Sequence, residues 1–203
     1  KSVLDGAELP MPSVTGESPY RYEVIQEATG QAYLFSLAGS VSRDTDIHLT
    51  ATRLLRYDRP VYQRIRYDVT SSVAPIIGPA FDSALRTAPD LYLSLPPDVN
   101  PMVRDWARRQ PSNAEQFAAA FLRYVRTQPF YYTLKPPRYS DDDIDQFLFS
   151  GRRGFCEHYA SAMAFAARAA GIPSRVVAGY QGGEWHPDGY LTVRQYDAHA
   201  WVE

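Results

Sequence analysis

From Cys156 to Ala170 the chain is built almost wholly of helix formers, with small residues at 160, 162, 164, 166, 167, 169 and 170 and with Tyr159, Met163 and Phe165 among them. A helix this small on several faces lets neighbours approach on more than one side, so it belongs inside a fold and not on its surface. Its end is marked: Arg168 falls in the last turn, Gly171 suits a left-handed cap, and Pro173 prevents resumption. Its start is marked by the glycine-broken Gly151-Arg-Arg-Gly154, where the two glycines allow positive φ and close approach of a substrate backbone.

The one cysteine of the chain, Cys156, lies in the first turn of this helix. Unpaired amides and the positive end of the helix dipole favour a thiolate there, which is the nucleophilic form. A lone cysteine in an alanine-rich helix is more often a small buried hydrophobe, so the stretch by itself leaves both readings open. A thiol nucleophile needs a base distant in sequence and near in space. Of the four histidines, His48 falls among N-terminal strands, His158 is two positions beyond Cys156 and faces away, and His186 sits in a Gly- and Pro-rich hairpin loop. His199 lies on a strand from Ala198, reached after a strand at Arg175–Tyr180 and another from Tyr190, an order that can carry it across the helix N-terminus.

Upstream the period changes. Tyr20 to Glu27, Gln31 to Leu37, Ile47 to Leu54 and Val61 to Val69 are β-branched or aromatic runs divided by turn residues, which predicts four short antiparallel strands. After a Pro-rich stretch at 93–101, Asn100 is expected to cap a helix over Met102 to Arg109. Ser112-Asn-Ala-Glu115 has capping-box spacing for a second helix ending before Pro129. A strand near Phe130 to Leu134 and a short helix around Asp143 to Phe149 complete the run. The expected organisation is an extended segment over 1–18, an antiparallel β-domain over 19–95 and a core over 98–203, an α+β architecture in which the cysteine helix packs on an antiparallel sheet.

With 21 Lys plus Arg against 23 Asp plus Glu, the formal charge of −2 gives no electrostatic case for a nucleic-acid partner. No Cys-x-x-Cys or His-Glu-x-x-His spacing occurs, so neither a metal nor another cofactor is expected. No run of 18 apolar residues occurs either. The chain starts without Met and stops within the alternating pattern Ala198-His-Ala-Trp-Val-Glu203, so we expect it to be part of a longer protein.

Three ordered blocks, Gly154-Phe-Cys-Glu-His-Tyr-Ala-Ser-Ala-Met, Ala170-Gly-Ile-Pro-Ser-Arg-Val-Val-Ala-Gly-Tyr180 and Ala198-His-Ala-Trp-Val-Glu203, together resemble the transglutaminase-like superfamily with its papain-type core. The Tyr-rich strands before them look like the domain preceding this core in bacterial multi-pass inner-membrane proteins of the TgpA type. The resemblance implies a position on the periplasmic face of a membrane-anchored protein. It implies Cys156 as nucleophile and His199 as general base of a Cys-His-Asp triad whose Asp follows beyond Glu203. Asp197, beside His199 on the same strand face, is a weak substitute.

Phe155 stands where many animal transglutaminases have Gln. With Trp185, Tyr190 and Trp201 it is a candidate for the substrate cleft, although the aromatics also suit plain sheet packing. The Cys156 amide is one expected oxyanion donor; the other is not identifiable. The activity implied is acyl transfer through a thioester, protein-glutamine γ-glutamyl transfer to an amine acceptor. A cysteine protease or amidase acting on peptide or peptidoglycan is the first alternative, and a non-catalytic cell-envelope binding module the second.

Overall fold

The alternation that begins at Tyr20 is realised as paired strands in a computed structural model that describes residues 19–50, 52–72 and 89–203. The expected extended segment over 1–18 lies outside the described residues. The chain divides into two units, one within residues 1–87 and one within 88–203.

In the first unit, β1 (Tyr20–Gln26) runs antiparallel to β6 (Ile65–Ser71), and β3 (Ser40–Val41) lies on the other edge of β6. A second sheet has the order β2 (Tyr33–Leu34), β5 (Leu55–Tyr57), β4 (Ile47–Leu49). Period two is plain along β6, where buried Tyr67 and Val69 alternate with exposed Arg66 and Asp68. Leu34, Ile47, Leu49, Leu55 and Val61 join them in the core. Buried Gln26 accepts the Phe35 N–H at 3.0 Å and lies 2.9 Å from the Tyr67 hydroxyl. Burial pushes the Tyr67 phenol far above its ordinary pKa, so it stays a donor.

Among the described residues the first unit has six strands where four were expected, and the two additional ones, β3 and β5, lie outside the four runs. Arg53 adopts φ 64°, the Thr50 hydroxyl accepts the Leu54 N–H at 3.0 Å, and the chain reverses so that Leu55, just past the end of the predicted strand, pairs with Leu49. Gly30 and Gly39, at φ 68° and 66°, confine the Gln31 to Leu37 run to two paired residues.

The second unit opens with a short helix α1 (Pro89–Leu93), followed by α2 (Pro101–Arg108) and α3 (Ala114–Thr127). Then come β7 (Tyr131–Tyr132), a single helical turn α4 (Asp143–Asp145) running into a π-helical turn Gln146–Gly151, β8 (Arg153–Gly154) and α5 (Cys156–Ala169). The expected helix near 143–149 is thus mostly π-helical. After α5 come β9 (Val176–Tyr180), the hairpin β10 (Glu184–Trp185) and β11 (Leu191–Thr192), a 3₁₀ turn at Gln195–Asp197, and β12 (Ala198–Val202). The core gathers Val103 and Ala107 of α2, Phe117 and Phe121 of α3, Phe147 and Leu148 of the π turn, and Ala162, Phe165, Ala166 and Ala167 of α5.

Two caps differ from expectation. Asn100 does not cap its own helix: with φ 54° it turns its side chain to the 143–145 turn, where Oδ1 accepts the N–H groups of Ile144 and Asp145, each at 3.0 Å. The N-terminus of α2 is capped instead by Asp145, whose carboxylate accepts from Met102 at 2.8 Å and Val103 at 2.7 Å. Helix α3 is capped by Asn113, which accepts the Gln116 N–H at 3.1 Å, one residue later than Ser112. The end of α5 follows the sequence: Gly171 is at φ 79°, its N–H bonds Arg168 O at 2.9 Å, and Ile172 N–H bonds Ala167 O at 2.9 Å.

Candidate active site

The approach to Cys156 is set by a parallel pairing of two very short strands. Tyr131 N–H bonds Arg152 O and Thr133 N–H bonds Gly154 O, both at 2.8 Å, so β7 is tied alongside the residues just before the cysteine. The left-handed residue here is Arg152, at φ 52°; neither glycine has positive φ. Their expected role is corrected accordingly. A Cβ on Gly154 would stand 2.7 Å from His158 Cγ and 2.9 Å from Phe147 Cε2, and one on Gly151 would strike the Tyr139 ring. Both are glycine to admit aromatic rings of this chain, not to admit a substrate.

Cys156 is the first residue of α5, half-buried, with extended Phe155 before it. The positive end of a fourteen-residue helix therefore falls at this residue. The Cys156 N–H donates to Tyr132 Oη at 3.4 Å. The neighbouring His158 turns back to the chain: its Nδ1 accepts the Phe155 N–H at 3.4 Å, and its ring packs on Phe155, Phe147 and Tyr139. It therefore acts as part of the helix cap.

His199 lies opposite Gly179 in the antiparallel pair β12–β9, and α5 packs on β12. Exposure alternates along β9: Val176 and Ala178 are exposed, Val177 and Gly179 are half-buried. Cross-strand partners share a face, so the more covered face of β9 is continued on β12 by His199 and Trp201. The Trp201 ring lies over Gly179, where a Cβ would stand 2.8 Å from Cη2, and its indole N–H donates to Glu203 at 3.2 Å. Partial burial alone would raise the Glu203 carboxyl, but the hydrogen bonds from Arg175 and Trp201 override it and hold its pKa below the ordinary value. The Asp197 carboxylate accepts the Arg194 N–H at 2.7 Å and closes the 3₁₀ turn, a commitment that competes with orienting His199.

Of the aromatic candidates, Phe155 adjoins Cys156 and Trp201 shares the His199 face. Trp185 and Tyr190 sit on the β10–β11 hairpin, 73% and 50% exposed, with Tyr190 stacked on His186 at 4.4 Å. His48 belongs to the first unit, 2.8 Å from Asp58. Among the described residues, no cluster of three His, Cys, Asp or Glu is placed to hold a metal ion, and no helix is long and apolar enough to cross a membrane. Sequence reading missed Tyr132, whose only signal is the aromatic run Phe130-Tyr-Tyr132 ahead of the glycine-broken loop.

The family model described as the transglutaminase-like superfamily matches residues 103–203, and that of the TgpA N-terminal domain matches residues 2–77. A curated protein-glutamine gamma-glutamyltransferase of Pseudomonas aeruginosa is 46% identical over 187 residues, covering 90% of this chain and 28% of that protein. The uncharacterized protein YebA of Bacillus subtilis is 33% identical over 128 residues, 58% of this chain and 17% of that protein. The chain therefore spans less than a third of the length of these curated relatives. Two crystal structures of the periplasmic domain of TgpA from Pseudomonas aeruginosa, one bound to ethylmercury, are 43% identical and cover 92% of this chain. Their TM-scores are 0.79 and 0.80, with 68% and 65% of their own chains covered.

Proposed function

The chain belongs to the transglutaminase-like superfamily, and on that footing we propose that it performs cysteine-dependent acyl transfer from protein glutamine to an amine. The observation that carries this reading is the placement of Cys156 at the N-terminus of a central helix packed on the strand that bears His199. The name of the relative at 46% identity supports γ-glutamyl transfer over other acyl chemistry. The solved relatives support action on the periplasmic face of a membrane, with the N-terminal β-domain over 19–95 and the core over 98–203 as the working parts.

In this reading the Cys156 thiolate, favoured by the helix dipole, attacks the γ-carboxamide carbon. A C–S bond forms and the carbonyl π pair moves to oxygen. As the pair returns, the C–N bond breaks and ammonia leaves with a proton from His199. A lysine amine then attacks the thioester, His199 takes its proton, and the isopeptide departs as the thiolate is restored. Asp197 is assigned no part in orienting His199, since the Arg194 amide holds it.

The test is incorporation of a labelled primary amine into a glutamine-bearing protein by the intact protein and by its Cys156→Ala variant. Incorporation that the variant abolishes supports transfer. Ammonia or peptide release without incorporation would replace it with hydrolysis, and no acyl chemistry at all would leave a binding module.

A further inference from the structure

The acyl-transfer reading leaves one oxyanion donor unassigned, and one side chain stands at the amide that supplies the other. Tyr132 Oη lies 3.4 Å from the Cys156 nitrogen. Strand β7 is bonded to the residues before Cys156 on either side of this tyrosine, through Tyr131 and Thr133 at 2.8 Å. Its ring stacks on Tyr159, centroids 6.3 Å apart and planes 15° from parallel. Tyr159 sits in the first turn of α5 and packs edge-on against Phe147 at 5.0 Å. The phenol is thereby referenced to the helix that carries the nucleophile. At 63% exposure it also borders open solvent, from which a substrate side chain must arrive.

Resting on the acyl-transfer reading, we propose that Tyr132 is the second oxyanion donor. In the free enzyme its oxygen accepts the Cys156 N–H through a long bond that is weak and cheap to displace. That leaves the hydroxyl proton available to donate. When sulfur bonds to the carbonyl carbon and the π pair moves onto oxygen, that oxygen takes over the Cys156 N–H, and the Tyr132 O–H turns to donate to it. Both donors then point at charge that exists only in the tetrahedral species, where such donors act most strongly. Collapse returns the pair to the carbonyl, the C–N bond breaks, and the amine leaves with the proton from His199. Tyr132 keeps its own proton throughout.

Tyr132→Phe in the intact protein retains the ring stack and removes only the hydroxyl. Two rates separate its roles. Amine incorporation builds an oxyanion, whereas alkylation of Cys156 by iodoacetamide displaces iodide at a saturated carbon and builds none. The expected result is a fall in kcat on the order of 10²-fold with KM within about twofold, an unchanged alkylation rate and unchanged thermal unfolding. Tyr131→Phe, on the opposite face of β7, leaves all four unchanged. A Tyr132→Phe enzyme with unaltered kcat overturns the proposal, and one that both turns over and alkylates faster makes the phenol a gate. Wild type that neither incorporates amine nor releases ammonia overturns the underlying reading, and shows this before any substitution is made.

Discussion

Asn100 and Asp145 cap each other's helical turns. The Asn100 amide oxygen takes the N–H groups of Ile144 and Asp145, and the Asp145 carboxylate takes those of Met102 and Val103. Both residues are buried, at 3% and 6% exposure. Asn100→Ala removes the acceptor of the buried Asp145 N–H, while the Ile144 N–H keeps the Asp143 carboxylate at 2.8 Å, and should cost about 1–3 kcal/mol, with Asp145→Ala at the upper end because its bonds are charge-assisted. Urea unfolding of the singles and the double should show a double mutant less destabilised than the sum, since each change already undoes part of the other's cap.

His199 and His158 should respond oppositely. His199→Ala is expected to lower amine incorporation by roughly 10³-fold or more with little change in stability, as for loss of a general base. His158→Ala should lose about 1–2 kcal/mol of stability through its cap and ring contacts. His158→Gln, which keeps an acceptor for the Phe155 N–H, should recover part of that loss. Thermal unfolding alongside the rate assay separates them.

Gly154→Ala should be among the most damaging small substitutions in the second unit. Its Cβ would stand within 3 Å of both His158 and Phe147, neither of which is a flexible chain end. Overpacking of this kind costs about 1–3 kcal/mol. Because the residue lies two positions before the nucleophile, incorporation should fall further than stability does.

Glu203 gives a pH dependence whose sign is fixed. Its folded pKa is depressed by Arg175 and Trp201 against the opposing effect of burial, so its contribution is present above the unfolded glutamate value and is lost as pH falls through the folded one. In a proton titration the Trp201 indole N–H resonance should therefore move with a midpoint below the ordinary glutamate value, and should cease to titrate in Glu203→Gln.

Much of this was legible from residues near one another in sequence. Arg168, Gly171 and Pro173 are enough to end α5, and period two is enough to place β1 and β6. What escaped depends on distant partners. The cap on α2 comes from a residue some forty positions away, so the local Asn-Pro pair pointed to the wrong acceptor. Gly151 and Gly154 were read as backbone freedom, whereas tertiary packing against Tyr139, His158 and Phe147 is what excludes a Cβ. The reversal at Arg53 falls within the run Ile47 to Leu54, where β-branched composition alone does not show that Leu55 will return to Leu49. For the candidate site, Cys156 and His199 stood out by chemistry and order, while Tyr132 becomes visible only once β7 pairs with β8.

The π turn at Gln146–Gly151 holds one residue more per hydrogen-bonded loop than an α-helix, and β8 starts after a single intervening residue, Arg152. Deleting any one of those six residues would let the turn relax to ordinary helix and slip β8 by one against β7, exchanging which side chains face which way. The nucleophile's aim is thus spelled by a length as much as by letters. Along this stretch a gap of one should be less tolerable than most replacements.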